Sequence, residues 1–249
     1  MTAAGPPSGG AFSAFESTYA RYWKLALSHS KDRPYAIAGL ERRLNNFYRT
    51  ESLHGIIRCC IGRSLLWQRS GKEVLKEISA REIEIVPSWS WMRYEGNICY
   101  VDIPKVNTNW NRDIELLPNS RGRGQSISAA SVAQILQGCR IVTQPDTACK
   151  IECTKGHVIG YIQFDNKVQI DIGRLGYIVL ARHKSNGWNK SSQDSWKKFA
   201  GVSSEELKPG TLCYVLVFSC GEVSQRLGVA VIQGEYLSFS KPPKDLRVF

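Results

Sequence analysis

Histidine is scarce in this chain: four residues, at 29, 54, 157 and 183, are all that imidazole chemistry could start from, and none has an obvious partner in sequence. The sequence carries no glycine-rich phosphate loop, no nucleophile elbow and no zinc signature, which removes the familiar marks of nucleotide, acyl-transfer and zinc chemistry. No residue is therefore assigned as catalytic, cofactor-binding or metal-binding, and the chain reads as a non-enzyme. No basic residue precedes Arg21 and no apolar leader core is present, so secretion is not expected. The longest apolar runs, near 177–181 and 213–218, have strand length and fall far short of the roughly 20 residues that cross a bilayer. A soluble, intracellular, cytoplasmic protein with no membrane contact is the expectation, and the sequon Asn189-Lys190-Ser191 is then inert.

What is present points to a folded chain. Its 249 residues are 43% hydrophobic, enough for one large domain or two small ones. Residues 1–11, rich in Ala, Gly, Pro and Ser without periodicity, read as a disordered tail. Eight cysteines would suit a disulfide framework in a short secreted chain, but this chain is long and sets Cys59 beside Cys60 in an apolar pattern, so reduced thiols fit better. The net charge of +11 raises the possibility of a nucleic-acid partner. Basic residues outnumber acidic ones by 14 to 9 up to Glu95 and by 19 to 13 beyond it, so the excess is spread and a solvated surface accounts for it.

Apolar residues at Phe12, Phe15, Tyr19, Tyr22, Trp23 and Ala26 have the spacing of a helix with one buried side, predicted over 12–27. Asp32 is placed as an N-cap with Pro34 in the first turn of a second helix through Ile37, Leu40, Leu44 and Phe47. Ser52 is read as the cap of a third, with Ile56, Ile57, Cys60, Ile61 and Leu65 facing inward and Trp67 closing it. These make a helical segment over 12–80. Beyond it the period changes to two. Trp89 and Trp91, two residues apart, predict a strand presenting both indoles to a core, and the Glu95-Gly96-Asn97 turn predicts a hairpin with Ile98 and Tyr100.

Residues 104–127 read as a long irregular insertion, and 128–136 as a short helix or strand. Strands are predicted over 140–143, 148–152, 158–164, 168–172, 177–182, 212–219, 225–231, 236–239 and 246–249, with a polar loop at 184–210. The fold class is α+β: N-terminal helices packed on a predominantly antiparallel β barrel or sandwich, with the β-rich domain over 81–249. Trp23, Trp67, Trp89 and Trp91 are the expected structural core.

Several groups of polar residues invite a chemical reading. Cys149, Cys153 and His157 recur every four residues, but the segment alternates as strands do, and that spacing along a strand spreads them over about 13 Å, too far for one metal. The cysteines read better as small apolar residues. His29, Asp32 and Arg33 fit a helix start, and Glu82 and Glu84 fit an exposed strand face. Arg121-Gly122-Arg123-Gly124 resembles a fragment of an arginine-glycine RNA-binding segment in a surface loop. Trp188 and Trp196, in a polar loop bearing lysines, suit either an interaction surface or the cover of a sheet edge.

Three ordered blocks carry a family resemblance: Asp32-Arg33-Pro34 through Glu41, Ser64-Leu65-Leu66-Trp67-Gln68-Arg69, and Pro87-Ser88-Trp89-Ser90-Trp91 with Tyr94, Glu95 and Gly96. They are similar to the region that follows the HET domain in fungal heterokaryon-incompatibility (HET) proteins, from about Phe15 to the end of the chain. Later, Tyr177-Ile178-Val179-Leu180-Ala181-Arg182 and Tyr214-Val215-Leu216-Val217 are similar to strands of that family, and Gln225-Arg226-Leu227-Gly228-Val229-Ala230 resembles its Glu-Arg-Val-Gly-Val-Gly element, with glutamine where the family tends to have glutamate. The hallmark Tyr-x-x-Leu-Ser-Tyr-x-Trp-Gly of the HET domain itself does not occur in this sequence.

HET domains are similar in fold to Toll/interleukin-receptor-type domains and are linked to cell death and self/non-self recognition when incompatible hyphae fuse. The resemblance therefore implies a non-catalytic companion or regulatory region, either a separate short product or part of a longer one, acting through a protein partner and needing no cofactor. The competing expectation is a basic nucleic-acid-binding protein working through Arg121, Arg123 and the 184–210 loop.

Overall fold

Apolar runs buried on both faces organise the second half of the chain. The computed structural model describes residues 9–22, 32–70, 74–78, 86–104, 106–118, 125–143, 148–166, 172–184, 210–221, 223–241 and 248. Trp23, His29, Glu82, Glu84, Arg121, Arg123, Trp188 and Trp196 lie outside the described residues, as do 1–8 of the expected tail.

Helix α1 (Gly9–Tyr22) buries Phe15 and Tyr19, one turn apart. In α2 (Arg33–Tyr48), Asp32 holds the N-cap position and Pro34 lies in the first turn, although the Asp32 side chain makes no capping bond. The helix ends where Arg49 turns left-handed at φ 51° and returns its N–H to Asn45 O.

The third helix does not form. Strands β1 (Ser52–Leu53) and β2 (Ile56–Ile57) make a hairpin instead, turning through His54 at φ 49° and Gly55 at φ 78°. Two successive left-handed residues cannot continue a right-handed helix, and they override the helical spacing of the isoleucines. A 3-10 turn (Arg58–Cys60) and the four-residue α3 (Ile61–Ser64) lead into β3 (Trp67–Arg69). The segment expected to be helical thus holds strands as well.

The tryptophan-bearing hairpin is also replaced. Trp89 lies in a turn and Trp91 begins a 3-10 turn (Trp91–Arg93), which Ser90 caps by accepting the Met92 N–H at 3.1 Å. A serine cap between the two indoles favours a tight turn over an extended strand. Strands β4 (Lys76–Glu77), β5 (Tyr94–Glu95) and β6 (Ile98–Tyr100) pair as β4 with β5 and β3 with β6, so the two arms of the Gly96 turn go to different partners.

The expected irregular insertion contains β7 (Thr108–Trp110), β8 (Ile114–Pro118) and the start of β9 (Gln125–Ala129), with β8 and β9 forming their own antiparallel pair. The ambiguous stretch at 128–136 is strand, ending in β10 (Val132–Ile135).

Next come β11 (Arg140–Val142), β12 (Cys149–Glu152), β13 (Val158–Phe164), β14 (Leu175–Lys184), β15 (Thr211–Ser219), β16 (Arg226–Gln233) and β17 (Leu237–Ser240). They form one antiparallel sheet in the order β11-β12-β13-β16-β15-β14-β10-β17, with β7 also paired to β14. Among the described residues the sheet stays open and curls as a half-barrel, where the sequence suggested closure or a sandwich. Of the predicted strand at 168–172, the described part is a 3-10 turn (Ile172–Arg174); of that at 246–249, Val248 is described and bridges Ile127 and Ser224.

Alternation along the central strands serves two cores. Tyr214, Leu216 and Phe218 of β15 belong to the core containing Trp67, Trp89 and Trp91, while Cys213, Val215 and Val217 belong to a second with Ile151, Ile162 and Ile232. No described helix is long and apolar enough to cross a membrane.

Candidate functional site

Arg226 opens β16, whose other residues are mostly apolar, and Asp165 follows the last residue of β13, its neighbour in the sheet. Both are buried, at 2% and 1% exposure. Arg226 Nε donates to Asp165 Oδ2 at 2.8 Å and Nη2 donates to Oδ1 at 3.3 Å, a two-pronged ion pair. Nη1 also donates to Leu65 O at 2.7 Å and Nη2 to Trp67 O at 2.6 Å. The guanidinium carbon sits 3.3 Å from the centre of the Trp67 ring. The backbone N–H of Arg226 donates to Ser88 Oγ at 3.0 Å, and Trp67 Nε1 donates to Trp89 O at 2.9 Å. Burying a full charge is costly, and the carboxylate, the carbonyls and the indole face together offset that cost.

A second buried cluster adjoins Trp91. Glu41 of α2 accepts the Gly55 N–H at 2.7 Å and the Tyr19 hydroxyl at 3.4 Å. Burial raises its carboxyl above the ordinary range, against hydrogen bonds from Gly55, Tyr19 and Ser52 that pull it down. Tyr19 packs on Trp91 with ring centres 5.4 Å apart, and Ser90 Oγ donates to His54 O at 2.7 Å. Burial pushes the His54 imidazole down to about 4, so it is neutral near pH 7. A Cβ at Gly55 would lie 2.2 Å from Trp91 Nε1, so this turn is shaped around the indole.

Trp67, Trp89 and Trp91 are fully buried and line these two clusters. Cys149 lies in β12 and Cys153 just beyond it, with Ile151 between them on the strand, and His157 is exposed in the turn to β13. Among the described residues no group of three His, Cys, Asp or Glu side chains is placed to hold a metal ion. His183 on β14 is buried, its Nδ1 3.3 Å from Thr108 Oγ1.

Sequence reasoning passed over Asp165 as a functional residue and took Arg226 only as part of a family element. The available signal was a charge at the end of each of two apolar strands, where an unpaired charge would be costly. Chemically the arrangement is saturated: the carboxylate is occupied by the guanidinium, and the cation by carbonyls and a ring. Comparison with protein-family models, with curated proteins and with solved structures finds no match to this chain.

Proposed function

We propose that this chain is a non-catalytic companion region of the heterokaryon-incompatibility type, intracellular and cytoplasmic, which regulates a partner domain through protein contacts. One observation supports the reading: the blocks that carry the resemblance meet in space. The Ser64–Arg69 block supplies two carbonyls and an indole to Arg226, the Pro87–Trp91 block supplies Ser88, and the Gln225–Ala230 element supplies Arg226 itself. The first block adds Glu41, bonded to the turn under Trp91. Residues distributed in this way serve to hold a shape, which is what a regulatory scaffold needs, with the helices covering the tryptophan-lined face. Calorimetric titration of the purified chain with a purified fungal HET domain tests it. Saturable micromolar binding is expected; no heat at 100 μM of each protein refutes the proposal.

A second reading, nucleic-acid binding, has an observation of its own. The solvent face of α2 and its C-cap carry exposed Arg42, Arg43 and Arg49, with Tyr35 and Phe47 at 77% and 78% exposure, a combination suited to phosphates and unstacked bases. It requires affinity for single-stranded RNA that falls steeply between 50 and 200 mM salt. Salt-independent or undetectable binding removes it.

A further inference from the structure

Strands β11 and β12 form a hairpin at one edge of the sheet, in the register Arg140 with Glu152, Ile141 with Ile151 and Val142 with Lys150. Continuing that register by one residue sets Cys139 opposite Cys153. The backbone of Cys153 faces the other way, its N–H donating to His157 O and its carbonyl accepting the Gly156 N–H, both at 2.9 Å. The Cys139 N–H donates to Leu136 O at 3.3 Å. The two cysteines lie one residue beyond the ladder, which ends at Arg140 with Glu152, and a Cβ at Gly138 would meet Thr154 Cγ2 at 2.4 Å, so the two segments stay side by side past it. A non-hydrogen-bonded pair in that register has Cα atoms about 4.5 Å apart with both side chains on one face, inside the range of about 4.4 to 6.8 Å that a disulfide spans.

The surroundings separate the two sulfurs by role. Cys153 is 7% exposed. Burial alone would push its thiol up, but the N–H groups of Lys155 and His157 and the Tyr236 hydroxyl favour the thiolate and bring it below the ordinary thiol range. Burial and the adjacent Cys153 hold Cys139 above that range. Cys149, four residues from Cys153, sits about 13 Å away along the strand and is no alternative partner.

We propose that Cys139 and Cys153 form a thiol–disulfide switch at the open edge of the sheet, oxidised by hydroperoxides, with Cys153 as the attacking sulfur and Cys139 as the resolving one. The Cys153 thiolate attacks a peroxide oxygen; the O–O bond breaks, an S–O bond forms, and the leaving oxygen takes up a proton to become water or an alcohol. The Cys139 thiol, losing its proton, then attacks the sulfenic sulfur, forming the S–S bond and expelling the second oxygen as water. Two thiols are oxidised and one peroxide is reduced. The bond ties β11, which has no further strand beside it among the described residues, to β12 and so holds that edge strand in the sheet. A dithiol reductant reverses it.

Trypsin tests this cleanly, because Arg140, Lys150 and Lys155 place Cys139, Cys149 and Cys153 in separate peptides, 124–140, 141–150 and 151–155. The reduced wild-type protein is treated with a few equivalents of hydrogen peroxide, alkylated, and digested without reductant. A linked species of 124–140 with 151–155, lighter by two hydrogens than the sum of its parts and lost on reduction, is expected. Cys139→Ser should leave a sulfenic acid on Cys153 that dimedone traps. Tyr236→Phe should slow alkylation of Cys153 at pH 7 several-fold without changing that of Cys220. Both thiols remaining alkylatable after peroxide, or a link through 141–150 instead, overturns the pairing. An unchanged alkylation rate in Tyr236→Phe overturns the role given to Cys153.

Discussion

Replacing Arg226 with methionine keeps an unbranched side chain of similar reach and removes the charge. Asp165, 1% exposed, is then left as a carboxylate without its cation, and Leu65 O and Trp67 O lose donors that stood at 2.7 and 2.6 Å. Breaking a buried ion pair from one side costs about 3–5 kcal/mol, and buried carbonyls stripped of donors add to that, so a loss near 5 kcal/mol is expected. For a chain of this size that is a fall in Tm of roughly 10–20 °C. Arg226→Lys retains the charge but not the flat stack on Trp67 or the two-pronged grip, and should lose about half as much. The decisive comparison is the double variant Arg226→Met with Asp165→Leu. Removing both charges avoids an orphaned carboxylate, so the double should be more stable than the single by about 1–3 kcal/mol. Urea titrations followed by tryptophan fluorescence and by circular dichroism give all three numbers. A single variant within about 1 kcal/mol of wild type, or a double no better than the single, would refute the account of Arg226 as a paired and desolvated hub.

Three further outcomes are expected. Gly55→Ala places a methyl 2.2 Å from Trp91 Nε1 at a residue with φ 78°, and should cost about 2–3 kcal/mol in the same titration; a loss under 0.5 kcal/mol would show that the turn is not moulded to the indole. Trp89→Ala and Trp91→Ala each empty a fully buried site and should cost about 3–5 kcal/mol, read as a sharp drop in Tm; no measurable drop would contradict their burial. His54 is held down to about 4 by burial, so the unfolded chain takes up a proton near 6.5 while the folded one does not: stability from this group is complete above 6.5 and is lost as pH falls towards 4. His54→Asn, which tolerates the left-handed backbone, should flatten that part of the pH–stability curve, and an unaltered slope would locate the dependence elsewhere.

The strands of the sheet are legible because burial on both faces leaves uninterrupted apolar runs, and 158–164 and 212–219 coincide with or nearly match β13 and β15. Where local signals conflict, the pattern misleads. The isoleucines at 56, 57 and 61 have helical spacing, yet the His54-Gly55 turn before them decides the backbone. The indoles at 89 and 91 have strand spacing, yet Ser90 between them caps the 3-10 turn that begins at Trp91. Both failures arise where one or two residues with special backbone demands outweigh a run of ordinary ones.

Arg226 belongs to a different order of difficulty, since Asp165, Trp67 and Leu65 stand 61, 159 and 161 residues away from it. Which carbonyls it meets depends on the register of β13 against β16 and on where the Leu65–Trp67 segment passes beneath them, none of which is a local property. The same holds for Cys139 and Cys153. In the sequence the cysteines at 149 and 153 are close along the chain, yet a four-residue spacing on a strand already holds them about 13 Å apart. What the sequence does not give is the hairpin register, which sets two residues fourteen apart opposite one another. Both arrangements depend on which distant segments lie side by side, and no local stretch of sequence specifies that.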